Sequence, residues 1–402
     1  MRPQALTSTN LLPLLPLLHL VVGCGGAEGA ARWSGTVDTL PNGVVEVRNT
    51  ATPIWTATTA WRVEEELRIG RVDGEGPDLL GSVVGLAVDE LDRIWVLEDQ
   101  AQEVRVFDRD GRHVRTIGRK GGGPGEFAGA TGILRGPGGR MWVYDGQNNR
   151  VSVIDTAGTF LTSHRVIGGF TIRPYPGIFD PQGRLYTYFP DRSTGEFLWA
   201  FTRVDTNLAV LDTIIPPRRT DQAQYFEIRT PNDQSRSTVP YTPTLQWALS
   251  PTGDFWMVHT GRYEMIHRSA AGDTLHRVTR EYTPVPVTPE DMDSVRAQFA
   301  DWLERGATID FSRVPSTKPA VADIFVADDR HVWVQRQPVT TTEHGRVFDV
   351  FDPEGRFLGE VRTPFPLHWT NPVFRDGYLY TVTVDDLEVP YVVRARIVRP
   401  MS

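Results

Sequence analysis

The sequence predicts an all-β chain closed into a six-bladed β-propeller, and three observations predict it. Apolar and polar residues alternate through 140–144 and again through 150–155, with a short loop between, as two paired strands require. An aromatic strand of this kind recurs at Trp95, Trp142, Tyr186, Trp256, Trp333 and Tyr380. The successive intervals are 47, 44, 70, 77 and 47 residues, two of them stretched by insertions. Each copy follows a turn: Asp92, Gly138-Gly139, Gln182-Gly183, Thr252-Gly253, Asp329-Arg330 and Asp376-Gly377. A unit of four short strands every roughly 40–50 residues is a propeller blade.

Residues 1–23 read as an export signal: Arg2 in a short basic start, then an apolar run at 11–22 that is too short to span a bilayer. Val21-Val22-Gly23-Cys24 resembles a bacterial lipobox, so cleavage would leave Cys24 as the lipid-bearing first residue. Cys24 is the only cysteine, which rules out an intrachain disulfide. More than one acyl chain there, palmitate among them, would anchor the protein stably in a lipid bilayer. Gly25 rather than an acid after the cysteine favours the outer membrane of a bacterial cell envelope. Residues 24–60 form a lipidated tether and N-terminal extension, with a small-residue stretch at 25–35 and a strand-like 43–49 whose docking site the sequence leaves open.

The propeller occupies 61–402. Leu67-Arg68-Ile69-Gly70 followed by Pro77 parallels 113–118 followed by Pro124, again 47 residues apart, so the chain enters the ring with the outermost strand of a blade. Innermost strands are expected near 83–88, 131–135, 176–179, 245–249, 322–327 and 371–375. The last copy ends one strand short, and the spare strand at 62–69 would complete it. Two blade-to-blade connections are long, 216–244 and 283–318. The second holds one inserted helix at 288–305, with Thr288 as N-cap, Pro289 at N1, Asp291 at N3 and Gly306 as the stop. Met292, Val295, Phe299, Trp302 and Leu303 form its apolar stripe, expected to lie on the propeller rim.

Gly121-Gly122-Gly123-Pro124-Gly125-Glu126-Phe127, then Thr131-Gly132-Ile133, Trp142-Val143-Tyr144-Asp145 and Asn149-Arg150-Val151, resemble an NHL-type repeat. The chain resembles the NHL-like six-bladed β-propeller lipoproteins, best over 67–161, although Ala130 stands where that family usually has a proline. The resemblance implies the ring. It does not imply one activity, because such propellers include binding modules, lyases and lactonase-like hydrolases.

Net charge of −8 argues against nucleic acid as a partner. Lys120 and Lys318 are the only lysines, read as composition bias. No phosphate loop, Gly-x-Ser-x-Gly elbow or His-Glu-x-x-His is present. His259, His267, His331 and His368 could reach the channel face, but single histidines at strand ends are usually structural. Glu98, Asp99, Asp145, Asp191, Asp385 and Asp386 fall in second-to-third-strand loops on one face. Calcium wants such oxygens, yet acids there more often cap their own turns. Catalytic residues and cofactor stay unknown, and no metal ligand set is assigned.

Gln246, Asp323 and Asn371 stand where, by resemblance, lactonase-like propellers place oxygen ligands; Tyr175, Tyr241, Trp247 and Trp369 crowd nearby. The expected ligand-binding site is therefore Tyr241, Gln246, Trp247, Asp323, Trp369 and Asn371, on the face where both insertions rise. It would take a protein or small-molecule ligand. Two functions remain open: a lipid-anchored envelope binding or scaffold propeller, or a metal-dependent lactonase-, esterase- or lyase-like enzyme.

Overall fold

The computed structural model of the protein describes residues 32–166, 177–191, 198–214, 224–230, 233–339, 345–368 and 370–400. Six antiparallel four-stranded blades follow one another along the chain. Their innermost strands are Val83–Val88, Ala130–Arg135, Gly177–Phe179, Leu245–Leu249, Val321–Val326 and Val373–Arg375, close to the expected positions. Their second strands carry the repeated aromatics. All six are core residues, with Trp95, Tyr186 and Trp333 at 0% exposure and Trp142 the most exposed at 4%. The repeat visible in the sequence is thus a packing repeat. Burying each such side chain contributes about 3 kcal/mol before ordering costs.

Within the blades one turn is used many times. Asp89, Asp108, Asp155, Asp180, Asp205, Asp352 and Asp385 each accept amide hydrogen bonds from the residues two and four positions on, at 2.7–3.1 Å. This Asx geometry reverses the chain between strands and leaves a positive φ at the third position after the acid. Gly355 fills that position in blade 5 (φ 85°) and also packs on Val278 of blade 4: a Cβ would lie 2.4 Å from Val278 Cγ2. Any side chain there would be strained twice over. Near the axis Gly85 plays a similar part, since its Cβ would fall 3.0 Å from Ile133 Cγ2, so blades 1 and 2 close tightly on each other.

The ring closes as expected. Blade 6 runs Val373–Arg375, Tyr378–Val384 and Pro390–Val398, and its fourth strand is Arg62–Ile69. That strand pairs antiparallel with the third, from Val392↔Ile69 to Val398↔Arg62. The core is divided into clusters shared by neighbouring blades, as with Trp95 of blade 1 and Ile133 of blade 2.

The N-terminal extension is more ordered than a tether. Thr36–Thr39 and Val45–Asn49 form a hairpin, and Val45–Asn49 joins the outer strand of blade 4, Thr274–Arg280, in parallel register. Asn49 fixes it to two blades. Its Nδ2 donates to Thr279 O (3.1 Å) and Gly355 O (2.9 Å), while Oδ1 accepts from Phe357 N (2.7 Å) and Trp33 Nε1 (3.0 Å). Trp33 is already packed, so the small-residue tether ends before it rather than at Gly35. Trp55 N then donates to Leu358 O of blade 5 (2.8 Å), and Trp61 stacks under Arg399 (4.2 Å) before the chain enters blade 6. The extension straps blades 4, 5 and 6 from outside.

Two further expectations are revised. The first insertion, expected only as a long connection, contains a hairpin of Tyr225–Arg229 and Gln234–Thr238. The single helix is two, α1 (Pro289–Gln298) and α2 (Ala300–Glu304), because Phe299 (φ −111°, ψ 14°) leaves helical geometry to bury its ring.

Candidate functional site

The two insertions fold as one cap. Phe226 of the first insertion's hairpin packs edge-on against Phe299 (5.3 Å) and Phe311 (5.5 Å), with Ile228, Val239 and Val295 completing a small core. Thr308 N donates to Arg229 O (3.0 Å) and Arg313 Nη1 to Tyr225 O (2.6 Å). The apolar stripe of α1 therefore lies on the neighbouring insertion and not on the propeller rim.

One buried lysine pins the cap to the ring. Thr288 caps α1, accepting from Asp291 N (3.2 Å), and Asp291 Oδ2 accepts in return from Thr288 N (2.9 Å). The other carboxylate oxygen, Oδ1, lies 2.8 Å from Lys318 Nζ, and the two side chains are 3% and 2% exposed. Lys318 Nζ also donates to Val339 O (2.9 Å), after the second strand of blade 5, and stands over the Tyr241 ring (5.7 Å). Burial works to push the Asp291 carboxyl up, but Lys318 and Thr288 hold it below the usual carboxylate range. Tyr241 takes a left-handed φ of 60° to turn its hydroxyl to within 3.5 Å of Asp291.

The expected site residues are distributed as follows. Tyr241 belongs to the cap junction. Gln246, on the innermost strand of blade 4, donates from Nε2 to Thr244 Oγ1 (3.3 Å). Trp247 turns the other way, packing edge-on against Phe201 of blade 3 (4.6 Å). Asp323 lies on the innermost strand of blade 5, just after a bulge, and Asn371 is exposed before that of blade 6. Trp369 and Tyr175 lie outside the described residues. The structure thus brings Tyr241 to the cap and sets Gln246 and Asp323 on adjacent innermost strands, while Trp247 belongs to the wall between blades.

Asp323 is the chemically distinctive group. Its Oδ1 accepts from Ile324 N (2.8 Å), and among the described residues no cation lies within ion-pair distance. Ile324 faces blade 4 and Phe325 packs toward blade 6, so strand alternation turns Asp323 toward blade 6. Burial pushes its carboxyl up to about 6, against the effect of that single hydrogen bond. Such a group can take or give a proton near neutral pH.

The loop acids do different work. Glu98 accepts from Gly81 N, Ser82 N and Ala101 N (3.1, 2.8 and 2.6 Å), and Asp145 from Ala128 N, Gly129 N and Asn148 N (3.2, 3.0 and 3.3 Å). Both tie the incoming connection to the second-to-third loop, which is turn chemistry. No group of three or more His, Cys, Asp or Glu side chains that could hold a metal stands together among the described residues. Two of the four histidines are removed from the channel: His267 is bound to Asp254 within blade 4, and His331 lies 3.1 Å from Asp329 and against Trp61.

Residues 79–216, spanning blades 1 to 3, match the family described as a 6-bladed beta-propeller, DUF5128. The chain is a six-bladed β-propeller. The match supports the ring and not the narrower NHL-type name. No curated protein matches it. Among solved structures, the propeller is similar to a member of the DUF4221 family from Bacteroides vulgatus (TM-score 0.52, 11% identity, 85% of this chain and 99% of that one). It is also similar to a Bacteroides fragilis protein described as exported (TM-score 0.50, 13% identity, 88% and 100%). The virginiamycin B lyase of Staphylococcus aureus superposes at TM-score 0.39 and 11% identity over 79% and 95%, too loosely to bear on activity.

Sequence reasoning missed Lys318. Its one signal was rarity: a lysine kept in a chain whose other basic residues, save Lys120, are arginines.

Proposed function

We propose that this propeller is a binding module of the bacterial envelope, anchored in the outer membrane through lipid on Cys24, and that it takes its ligand on the capped face. The observation that carries the reading is the cap itself: insertions from two successive connections share one core and are fastened by the Asp291–Lys318 pair beside innermost strands bearing Gln246 and Asp323. Loops elaborated on one face of a rigid scaffold are the usual carriers of recognition. The proposed lining is Tyr241, Gln246, Asp323, Trp369 and Asn371, with Trp247 behind it. The lipobox supports export, which is also what the Bacteroides fragilis protein's description says of that protein.

A thermal-shift screen of small molecules and peptides tests this, run on wild type and on an Asp323→Asn/Gln246→Ala variant. Ligands that stabilise the wild type and lose at least tenfold in affinity on the variant support the capped face. Ligands that bind both equally place recognition elsewhere.

A second reading is favoured by one observation, the lone Asp323 carboxyl near neutral pKa on an innermost strand. It suits a general acid or base in lactone, ester or lyase chemistry. Turnover of a lactone and ester panel, abolished by Asp323→Asn, would establish it.

A further inference from the structure

Blade 4 contains a chain of polar side chains far from the cap. Asp254, just before the second strand, accepts a hydrogen bond from His267 Nε2 on the third. His267 Nδ1 lies 2.9 Å from His276 Nδ1 on the outer strand. Trp256 stacks on His267 (4.4 Å, 3°), and the His276 ring lies 5.2 Å away at 9°. The proton count is restricted. With His267 donating to Asp254, its Nδ1 accepts from His276 Nδ1–H. One added proton fits the pair, balanced by Asp254. A second puts two N–H donors face to face and breaks the contact.

The groups facing His276 set the direction. Within blade 4 they are His267 and, beyond it, Asp254, which also accepts from the Thr252 hydroxyl. From blade 5, Glu354 favours the cation. From the N-terminal hairpin comes Val45, the register partner of His276, which carries no charge; its neighbour Glu46 is held by Arg48. Burial and His267 outweigh Glu354, so His276 sits below the ordinary histidine value of 6.5.

We propose that the His267–His276 pair is an acid-sensitive clasp that holds the outer strand of blade 4, and with it the N-terminal hairpin paired to that strand, and loosens both as the pH falls. A histidine depressed in the folded state stabilises fully above its unfolded value. That stability is lost as the pH drops from about 6.5 toward the folded value. Loosening starts at the Val45 end, because Asn49 fastens the other end to Gly355 and Phe357. The ring stays shut, since Arg62–Ile69 closes it independently.

Hydrogen exchange of the intact protein, corrected for intrinsic amide rates, tests this at pH 7.5 and 5.0. Peptides from 36–49 and 270–278 should lose about tenfold in protection at the lower pH, while 62–69 keeps its own. His276→Gln, whose amide can still donate to His267, should show equal protection at both. Unchanged protection in the wild type, or an unchanged acid response in His276→Gln, overturns the proposal. Should the variant not fold, NMR titration of the wild-type ring decides: His276 titrating at or above 6.5 overturns it, and below 6.5 supports it.

Discussion

Lys318 Nζ sits 2.8 Å from Asp291 Oδ1 beside the Tyr241 ring and also donates to Val339 O, so this one buried ammonium ties the cap to blade 5. Lys318→Met would leave Asp291 buried and unpaired. A loss of about 3 kcal/mol is expected, as for a broken buried pair. Denaturant midpoints should show it, with proteolysis beginning inside 283–318. The Asp291→Asn/Lys318→Met double variant should recover part of the loss. An unchanged midpoint for Lys318→Met would refute the pin.

Asp323 is expected to cost stability for as long as it is ionised. Its folded value is raised from 3.8 to about 6. The penalty is absent below pH 3.8, grows between 3.8 and 6, and is constant above. Asp323→Asn should therefore stabilise the protein by about 1–3 kcal/mol at pH 8 and hardly at all at pH 4. Melting curves at the two pH values check this; equal shifts at both would remove the case for a half-buried ionised carboxylate.

Asn49→Ala removes four hydrogen bonds and strands Gly355 O and Phe357 N between blades. The expected cost is about 2–3 kcal/mol. The marker is specific: protease sites in 36–60 should open before any in blades 1 to 3. Simultaneous opening everywhere would show that the hairpin is not a separate layer.

Truncation should divide the N-terminal segment by function. A chain beginning at residue 50 loses the hairpin and keeps the closing strand, so it should still unfold in one cooperative step. A chain beginning at 71 lacks the partner of Pro390–Val398 and should aggregate or melt broadly. Equal behaviour of the two would show that ring closure does not depend on Arg62–Ile69.

Cys24→Ser tests the proposed anchor. The variant should move from the membrane fraction to the soluble envelope fraction. Persistent membrane association, with no acyl mass on the N-terminal peptide of the wild type, would sink the lipoprotein reading.

Much of the ring was legible because its core is periodic. Trp95 and Trp142 recur at the blade interval, and the spare strand at 62–69 was identifiable by its likeness to 113–117. What stayed hidden depends on contacts between segments distant in sequence. Nothing near residue 45 announces a partner at 276, and parallel pairing leaves no turn to read. Trp247 looked like pocket lining from its position, but strand alternation aims it at Phe201, which only the ring geometry supplies. The Asx turns were half visible: the glycines were read, whereas of the seven acids that organise them only Asp385 was considered, as a turn cap before an ion ligand. Phe299 broke a helix whose apolar stripe is continuous in sequence, because the ring it packs on belongs to another insertion.

The pairing of Val392 with Ile69 also imposes an order of events. Blades 1 to 5 take all four core strands from one continuous stretch each, so each can form soon after its own residues are free to fold. Blade 6 cannot: its outer strand must wait, unpaired, for a partner more than three hundred residues later. That contact carries one of the largest loop-closure penalties in the molecule, and its formation should limit the folding rate. Until then Arg62–Ile69 is an open edge, and the nascent chain is most exposed to wrong pairing just before its last strand arrives.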